Sequence, residues 1–408
     1  MIMFFVFLIL VAFLIADFIM DDRKISPIKV FNSIWLLVLS LYSLNLSYIQ
    51  SPLNDRTALV FLACVGTFDI IYYLARGVSL SKRRGTASKE QTGRSDKRRQ
   101  KKRGDLKSRL KIINVAFIVL FIAEIVYSRY LPLVSLAMGR GSDYLNFGIP
   151  SVNGLMYAVA ICLGAYYIYK KDPRALIYMG FGLLVVSRQL LVAMAIEAVV
   201  VFLCSRYHFN KEKPVRHFKI KFIAGAFLAL LGFTAFGNIR SGNDAMERVF
   251  EPRPGYEQLP SAVMWGYSYL EFSISNFNKL TSMTDGGVNY GASSLNALLP
   301  TVVSKTIKLP KNFRNSYLVR INFNVSTWFP EIYLDFGIFG VIIFSGLIAM
   351  LGWVLYSNSI KKFSIRNSLL YAVFVHNILM FFFVNMFLYL PIVAQFIIIP
   401  LIFKDSDE

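Results

Sequence analysis

The feature that most constrains this chain is the recurrence of apolar runs of about 20 residues, each long enough to cross a hydrocarbon core of about 30 Å. In total, 56% of the residues are hydrophobic and only 17% are charged. The sequence therefore predicts an all-α polytopic membrane protein with about eleven transmembrane helices, within a range of about 10 to 12. The candidate spans are residues 1–20, 31–50, 57–76, 112–131, 151–169, 175–187, 189–204, 220–237, 333–356, 368–388 and 390–403.

Basic residues are concentrated in five connecting segments that fall on alternate sides of successive predicted spans. The segments are DDRKISPIK, SKRRG to SRLK, KKDPR, SRYHFNKEKPVRHFKIK and KKFSIR. Short basic loops mark the cytoplasmic side of a membrane protein. One orientation satisfies all five segments, with the N-terminus outside and the C-terminus in the cytoplasm. It requires the run at 175–204 to form a hairpin of two short passes that turns at residues 187–189.

The charge pattern also divides the chain into regions. Residues 80–111 carry more than half of the net charge of +20 and are poor in aromatic side chains. We expect them to form a disordered cytoplasmic loop that attracts anionic lipid, without the stacking groups that nucleic-acid binding needs. The predicted regions are N-terminal transmembrane helices at 1–79, this basic loop at 80–111, central transmembrane helices at 112–237, a large extracytoplasmic loop at 238–332 and C-terminal transmembrane helices at 333–408.

The large outer loop contains an aromatic pattern with helical spacing. Trp265, Tyr269, Phe272 and Asn276 recur at intervals of four, three and four residues, which predicts an amphipathic helix. Such a helix could lie at the membrane interface, where Trp and Tyr are favoured. It could also form a platform on which the apolar faces of sugar rings stack. The two interpretations are compatible, and both stay open.

Arginines on the outer side are a second clue, because the positive-inside bias disfavours them there. Arginine forms a planar fork that suits bidentate contact with phosphate oxygens. The alternative is salt bridging to nearby acidic residues, which is the expectation for Arg248 and Arg253. Fewer acidic residues lie near Arg188, Arg240 and Arg320 in the sequence. These three are therefore candidates for holding a phosphate or pyrophosphate group at the membrane surface.

The remaining polar residues give weaker signals. Ionisable side chains occur in or near the spans, where structural pairing is the default interpretation: Asp69, Glu124, Arg129 and Glu197. The cysteines lie in apolar runs and are expected to be buried hydrophobic residues, with no disulfide framework and no Cys-based metal site: Cys64, Cys162 and Cys204. No His and no clustered carboxylates converge in the outer loop, so we expect no metal ion and no cofactor.

Four short motifs give the chain a resemblance to a known family. They are SRQLLVAMA at 187–195, NIRSG at 238–242, YLEFSISNF at 269–277 and NVSTWFPEIYLDFGIFG at 324–340. With the topology above, they resemble the bacterial oligosaccharide repeat-unit polymerases (Wzy type), which assemble O-antigen, capsule and exopolysaccharide. The resemblance implies a GT-C-like architecture. It also implies transfer of a growing glycan from polyprenyl pyrophosphate to a lipid-linked repeat unit, at the outer face of the bacterial cytoplasmic membrane.

The same resemblance implies roles for individual residues. The leaving pyrophosphate gathers negative charge in the transition state, which pre-placed cations stabilise. The candidates for this role are Arg188, Arg240, Arg320 and Arg314. A carboxylate acts as general base for the acceptor hydroxyl, and the candidates are Glu331 and Asp335, with Glu271 behind them. Glu331 and Asp335 have a structural alternative, since acidic residues at a helix N-terminus are favoured by the helix dipole.

Sugar contacts and partners follow from the same comparison. The candidate sugar-binding residues are Trp265, Tyr269, Asn276, Asn324 and Trp328. The implied partners are the polyprenyl-pyrophosphate-linked oligosaccharide as donor and acceptor, membrane lipid, and a chain-length regulator and a flippase, with no nucleic acid.

Two other functions compete with polymerisation. An O-antigen-ligase-like transferase shares the architecture, but such ligases are expected to use a His in the outer loop, and no His occurs between His217 and His376. A lipid-linked oligosaccharide flippase or another transporter is expected to show internal repeats and discontinuous helices. The sequence shows no internal repeat. The sequence therefore favours a metal-independent glycosyltransferase.

Overall fold

The computed structural model describes residues 1–21, 25–85, 96–140, 146–209, 249–307, 309, 313, 316–321, 323–361 and 363–404. These residues form fourteen α-helices, one 3-10 turn and no β-strand. In chain order the helices are α1 (Ile2–Met20), α2 (Pro27–Ser43), α3 (Asp55–Gly85), α4 (Asp96–Ser128), α5 (Pro132–Ala137), α6 (Val152–Lys170), α7 (Ala175–Leu184), α8 (Arg188–Phe209), α9 (Ser261–Met283), α10 (Ala292–Leu298), α11 (Thr301–Thr306), α12 (Phe329–Lys361), α13 (Ile365–Leu379) and α14 (Leu390–Ile402).

Six of these helices are long and apolar enough to cross a membrane. They are α1, α6, α8, α12, the first 25 residues of α3 and the last 25 residues of α4, and the apolar helices α2, α7 and α14 are shorter. The protein is therefore a multi-pass membrane protein with an all-helical fold, as the apolar runs predict. The total of about eleven spans stays a prediction, and the candidate span at 220–237 lies outside the described residues.

The bundle packs around a core of aromatic side chains. Helix α12 lies along α3, and α8 packs against both α6 and α13. Where α2, α3 and α12 meet, the rings of Trp35, Phe61 and Phe329 contact one another with centroid distances of 5.1 to 5.8 Å. All three side chains are fully buried. Since aromatic side chains bury large apolar areas, this contact fixes the start of α12 against the first helices of the chain.

The basic region is more ordered than the sequence indicates. Helix α3 continues through Gly85, and α4 begins at Asp96, so residues 80–85 and 96–111 are helical where a loop was predicted. Residues 86–95 lie outside the described part of the chain. Lys and Arg are good helix formers, and here the two membrane helices simply extend into the basic segment.

The predicted hairpin at 175–204 is present, but its two helices differ in length. Helix α7 has 10 residues, whereas α8 has 22. The chain turns at Val186, whose φ of 56° is in the left-handed region. The N–H groups of residues 185–187 are not left open, because they donate to carbonyls of Phe181, Leu183 and Gly182 at 2.9 to 3.0 Å.

The described parts of all five basic segments meet at one end of the bundle, here called the basic end. Tyr356 donates to Asp21 at 2.7 Å, which joins the end of α12 to the α1–α2 connection. Arg109 donates to the carbonyl of Ile402 at 3.2 Å. The rings of Tyr169 and Phe363 are in contact, with centroids 6.4 Å apart. The other end of the bundle, called the opposite end, carries the α2–α3 connection, α9 to α11 and the start of α12.

Helix α12 is broken inside the DFG sequence. Gly337 has φ 61° and ψ −153°, a conformation available essentially to glycine alone. The break releases the carbonyls of Tyr333 and Leu334 from their helical partners. They accept instead from the N–H groups of residues 287–289, at 2.7 to 3.0 Å. The loop after α9 therefore caps the first segment of α12.

The two ends give a prediction about orientation. We expect the cysteine of Lys361→Cys, at the basic end, to react with an impermeant maleimide only after cells are opened. The cysteine of Ile321→Cys should react in intact cells, since Ile321 is 90% exposed at the opposite end. Background should be low because Cys64, Cys162 and Cys204 are all buried. Labelling of both variants from the same side would contradict the topology.

The break at Gly337 gives a second prediction. Gly337→Ala forces a side chain into a glycine-only conformation, so it should destabilise the protein by about 1–3 kcal/mol and lower its melting temperature in detergent. The matched control is Gly66→Ala in α3, where an added Cβ meets nothing within 4 Å. That variant should be neutral or slightly stabilising. Equal melting temperatures for both variants would contradict the role assigned to Gly337.

Candidate functional site

Helix α9 lies at the opposite end, and its position agrees with the helix that the spacing of the aromatic residues predicts. One face is anchored to the start of α3, where Asn54 donates to the carbonyl of Asn278 and to the hydroxyl of Thr281 at 2.9 and 3.0 Å. Another face packs on the start of α12, with the rings of Phe277 and Phe329 4.8 Å apart. The helix is therefore held between two membrane helices.

Asn276 fixes the segment that crosses α9. Its amide nitrogen donates to the carbonyls of Phe323 and Val325 at 3.0 and 2.6 Å, and its amide oxygen accepts from the N–H of Val319 at 2.7 Å. The side chain was a candidate sugar contact, but its donors and acceptor are committed to this backbone. Asn276 therefore positions the segment around Arg320.

The other sugar candidates lie in different surroundings. The rings of Trp265 and Tyr269 stack with centroids 6.0 Å apart, and Phe323 packs against both. Trp265 is buried in this cluster and so is not a surface contact for sugar in this conformation, whereas Tyr269 is half-buried. Asn324 is exposed. Trp328 is fully buried and stacks on Phe381 at 4.8 Å. Its assignment as a surface contact for sugar does not hold in this conformation, because the indole is part of the core.

The candidate arginines are only partly described. Arg240 and Arg314 lie outside the described residues. Arg188 is half-buried at the start of α8. Arg320 forms an ion pair with Glu251, which lies 69 residues earlier in the chain. The expectation that Arg320 has little acidic company is therefore wrong, because the partner is distant in sequence and adjacent in space.

Arg253 was expected to form a salt bridge with a nearby acidic residue, but its described contacts are different. Its Nε donates to the carbonyl of Ser47 at 3.0 Å, and its guanidinium lies 5.4 Å from the ring centroid of Tyr48. Its own N–H donates to the carbonyl of Leu46 at 2.9 Å. No described acidic side chain forms an ion pair with it within 4 Å. No local sequence signal could indicate this position, since the contacts join segments 206 residues apart.

Glu271 is the carboxylate beneath this surface. It is fully buried on α9, where its oxygens make no hydrogen bond of normal geometry and interact with the nearby Ser47 hydroxyl. Burial raises the pKa of Glu271 to about 7, while the Ser47 hydroxyl and the charge of Arg253 act in the opposite direction. A carboxyl group with a pKa near neutrality can both accept and release a proton under physiological conditions.

Hydroxyl groups surround Glu271. Tyr267, one helical turn before it, donates to Gln50 at 2.7 Å. Burial and the neighbouring carboxylate raise the pKa of Tyr267 to about 12. Tyr42 donates to the carbonyl of Ser51 at 2.8 Å, and its hydroxyl is 3.3 Å from that of Ser275. The tyrosine hydroxyls therefore lie within electrostatic range of the Glu271 carboxyl group.

Glu331 and Asp335 face different partners. Glu331 is half-buried in the first turn of α12, and its Oε2 is buried without a hydrogen bond to any described residue. Tyr317 is close to it, and burial together with the Glu331 charge raises the pKa of Tyr317. The two oxygens of Asp335 accept from the N–H groups of Ser293 and Ser294, both at 2.8 Å.

Asp335 therefore caps a helix, but not the one that the sequence suggests. Helix α12 begins at Phe329, so Asp335 is in its second turn. The carboxylate binds the first N–H groups of α10, where it satisfies donors that have no partner within that helix. Both of its oxygens are occupied, which leaves Glu271 and Glu331 as the carboxylates, among the three candidates, with oxygens that make no hydrogen bond of normal geometry.

Comparisons with known proteins give no assignment. No family model matches the chain, and neither a curated protein nor a solved structure is similar to it. Among the residues that the structure describes, no group of three or more His, Cys, Asp and Glu side chains could hold a metal ion. The function has to be argued from the residues of the opposite end.

The burial of Glu271 gives a stability prediction. Its pKa is raised from 4.5 to about 7, so the folded state binds more protons than the unfolded state between these values. Stability should therefore fall as the pH rises through this window, by roughly 3 kcal/mol at most, and stay constant above it. Glu271→Gln should abolish this dependence and raise the melting temperature at pH values above about 7.

The control for this measurement is Glu257→Gln, which changes an exposed carboxylate on the same face. Its melting temperature should follow that of the unaltered protein across the pH range. A Glu271→Gln variant that is equally or less stable than the unaltered protein at high pH would contradict the unfavourable burial of the charge.

Proposed function

We propose that the protein is a metal-independent oligosaccharide repeat-unit polymerase with a GT-C-like architecture. It transfers a growing glycan from polyprenyl pyrophosphate to the terminal sugar of a lipid-linked repeat unit. The observation that carries the proposal is Glu271, a buried carboxyl group whose oxygens make no hydrogen bond of normal geometry and which interacts electrostatically with Arg253. The site lies at the end away from the basic segments, which by the positive-inside bias is the outer face.

Glu271 acts as the general base for the acceptor hydroxyl in this reaction. Its pKa of about 7 gives a substantial ionised fraction at neutral pH together with a stronger basicity than an ordinary carboxylate. Residues 46–48 and 251–253 lie next to this carboxyl group. The two segments are joined by two backbone hydrogen bonds, from Tyr48 to Glu251 and from Arg253 to Leu46, both at 2.9 Å. Separation of these two segments admits the acceptor sugar to the carboxylate.

The arginines bind the pyrophosphate. The guanidinium of Arg253 is oriented by its contacts with Ser47 and Tyr48. Arg320 is held by Glu251 in an exposed ion pair, and such pairs contribute only about 0–1 kcal/mol. A pyrophosphate, with more charge and more acceptor oxygens than one carboxylate, therefore displaces Glu251. The negative charge that develops on the leaving pyrophosphate is then stabilised by Arg253 and Arg320, which are already positioned.

The remaining features of the proposal concern the substrate and its surroundings. The exposed Asn324 and the half-buried Tyr269 offer contacts to the saccharide. Arg188, Arg240 and Arg314 stay candidates for the phosphates. The reaction takes place at the bacterial cytoplasmic membrane, with the N-terminus outside, and its partners are the lipid-linked donor and acceptor, a flippase and a chain-length regulator.

The experiment that tests the proposal is reconstitution. Purified protein in liposomes receives its lipid-linked repeat unit, without nucleotide sugar and without divalent metal, and the products are separated on a gel. We expect a ladder of repeat multiples. A native substrate that stays a single unit would overturn the polymerase, and a leaflet-accessibility assay on the same liposomes would then report flipping.

Variants assign the roles. Glu271→Gln should lower the rate by about 100-fold or more, the usual contribution of a general base. Arg253→Ala and Arg320→Ala should each lower it by a comparable factor. The rate of the unaltered enzyme should rise with pH and level off above about 7, as Glu271 ionises. Glu257→Gln is the matched control and should retain activity.

A rate for Glu271→Gln within twofold of the control, given about equal amounts of inserted protein, would rule out the general-base role.

A further inference from the structure

Asp69 is a buried carboxyl group that the proposed transfer reaction does not use. It lies on α3, 14 residues and so about 21 Å beyond the start of that helix, and it is fully buried. Its Oδ2 accepts from the amide of Asn32 on α2 at 3.1 Å, whereas its Oδ1 has no hydrogen-bond partner among the described residues. No described Lys, Arg or His forms an ion pair with it within 4 Å.

A second set of acidic groups lies nearer the basic end and is neutralised. Asp17 on α1 pairs with Arg76 at 3.2 Å and with Lys29 at 3.7 Å. Lys29 also donates to the carbonyl of Asp21, and the Asp21 carboxylate accepts from Tyr356. The charges of Asp17 and Asp21 are thus matched by those of Lys29 and Arg76. Asp69 forms no ion pair with either of these cations.

Two tyrosine hydroxyls lie between Asp69 and Asp17. Tyr72 and Tyr73 follow Asp69 by three and four residues on α3, so they lie on the same helix face, one turn closer to the basic end. Neither hydroxyl makes a hydrogen bond of normal geometry, but the Tyr73 hydroxyl lies next to the Asp17 carboxylate and interacts with it. Asp17 is within electrostatic range of both.

These atoms fit a particular chemistry. Several unpartnered polar atoms in one interior region, including Oδ1 of Asn32, provide the two to four hydrogen bonds that a buried water molecule needs. A carboxyl group linked by hydroxyls and water to a largely buried ion pair, whose arginine reaches solvent, is the arrangement of an intramembrane proton relay. Arg76 marks its mouth, with 15% of its side chain exposed at the basic end.

On the side of Asp69 that faces the opposite end, aromatic side chains fill the interior. Phe31 and Phe68, the neighbours of Asn32 and Asp69 in sequence, stack with centroids 3.9 Å apart. Beyond them lies the contact of Trp35, Phe61 and Phe329. Cys64 is the nearest titratable group on this side, beside the hydroxyl of Ser345. Protons therefore have a polar route toward the basic end and a largely apolar barrier toward the opposite end.

We propose that Asp69 is a proton-exchange site in the membrane interior, connected to the basic end through Tyr72, Tyr73 and Asp17. The ligand is the proton itself, which Asp69 binds as a neutral carboxylic acid and releases through the hydroxyl chain. The change of charge acts on the pairing of α3 with the broken helix α12, since Tyr72 contacts Trp353 with centroids 5.6 Å apart. The site is independent of Glu271 and of the proposed transfer.

Infrared spectroscopy of the reconstituted full-length protein tests the proposal. We expect a carboxylic acid C=O band that is absent in Asp69→Asn, an isosteric variant that keeps the contact with Asn32. The band should disappear reversibly as the pH is raised from about 5 to about 10, and it should shift in D₂O. Carbon-13-labelled aspartate shifts the same band in the unaltered protein, which assigns the band to an aspartic acid, and its loss in Asp69→Asn then assigns it to Asp69.

The route has its own variant. Tyr72→Phe with Tyr73→Phe removes two hydroxyls without changing the packing of the rings, so it should leave the fold intact and slow the deuterium shift of the band by about tenfold, which corresponds to about 1.4 kcal/mol in the barrier to exchange. Tyr127→Phe, at an exposed position on α4, is the control and should leave the rate unchanged. No aspartic acid band, a band insensitive to pH and D₂O, or unchanged exchange in the double variant would each overturn the proposal.

Discussion

A bilayer offers no hydrogen bonds to a broken helix, so every backbone group that α12 releases at Gly337 must find a partner inside the protein. The loop at 287–289 supplies these partners, and the Asp335 carboxylate caps α10 just beyond the same loop. The break, the loop and the short helix consequently form one unit. Since α9 leads directly into this loop, the floor of the candidate site is tied to the longest membrane helix of the bundle.

The sequence predicts well whatever depends on local pattern. Apolar runs locate the membrane helices, charge locates the basic end, and the spacing of Trp265 and Tyr269 locates α9. Helix ends are predicted less well. Helix α4 begins inside the basic segment because nothing in a run of Lys and Arg opposes a helix. The apolar run at 333–356 predicts one continuous span, and only the backbone shows that Gly337 interrupts it.

The arrangement of the candidate site depends on contacts that no local pattern records. Arg320 and its partner Glu251 are 69 residues apart, and Arg253 and Ser47 are 206 residues apart. Asn276 looks like an exposed polar residue of an amphipathic helix, yet it clamps a distant segment. Asp335 likewise makes its contacts with a distant segment, because it caps a helix that begins 43 residues earlier in the chain. The sequence could identify chemically suitable residue types, but tertiary contacts decide which of them remain unpartnered.

The short helix α7 has a consequence for the lipid around the protein. Its 10 residues extend over about 15 Å, about half of the hydrocarbon core. Leu176, Met179 and Leu183 are exposed along one face, and the short turn that follows leads to Arg188. A bilayer meets such a mismatch by thinning locally. The hydrocarbon layer beside α7 is therefore expected to be thinner than elsewhere around the protein.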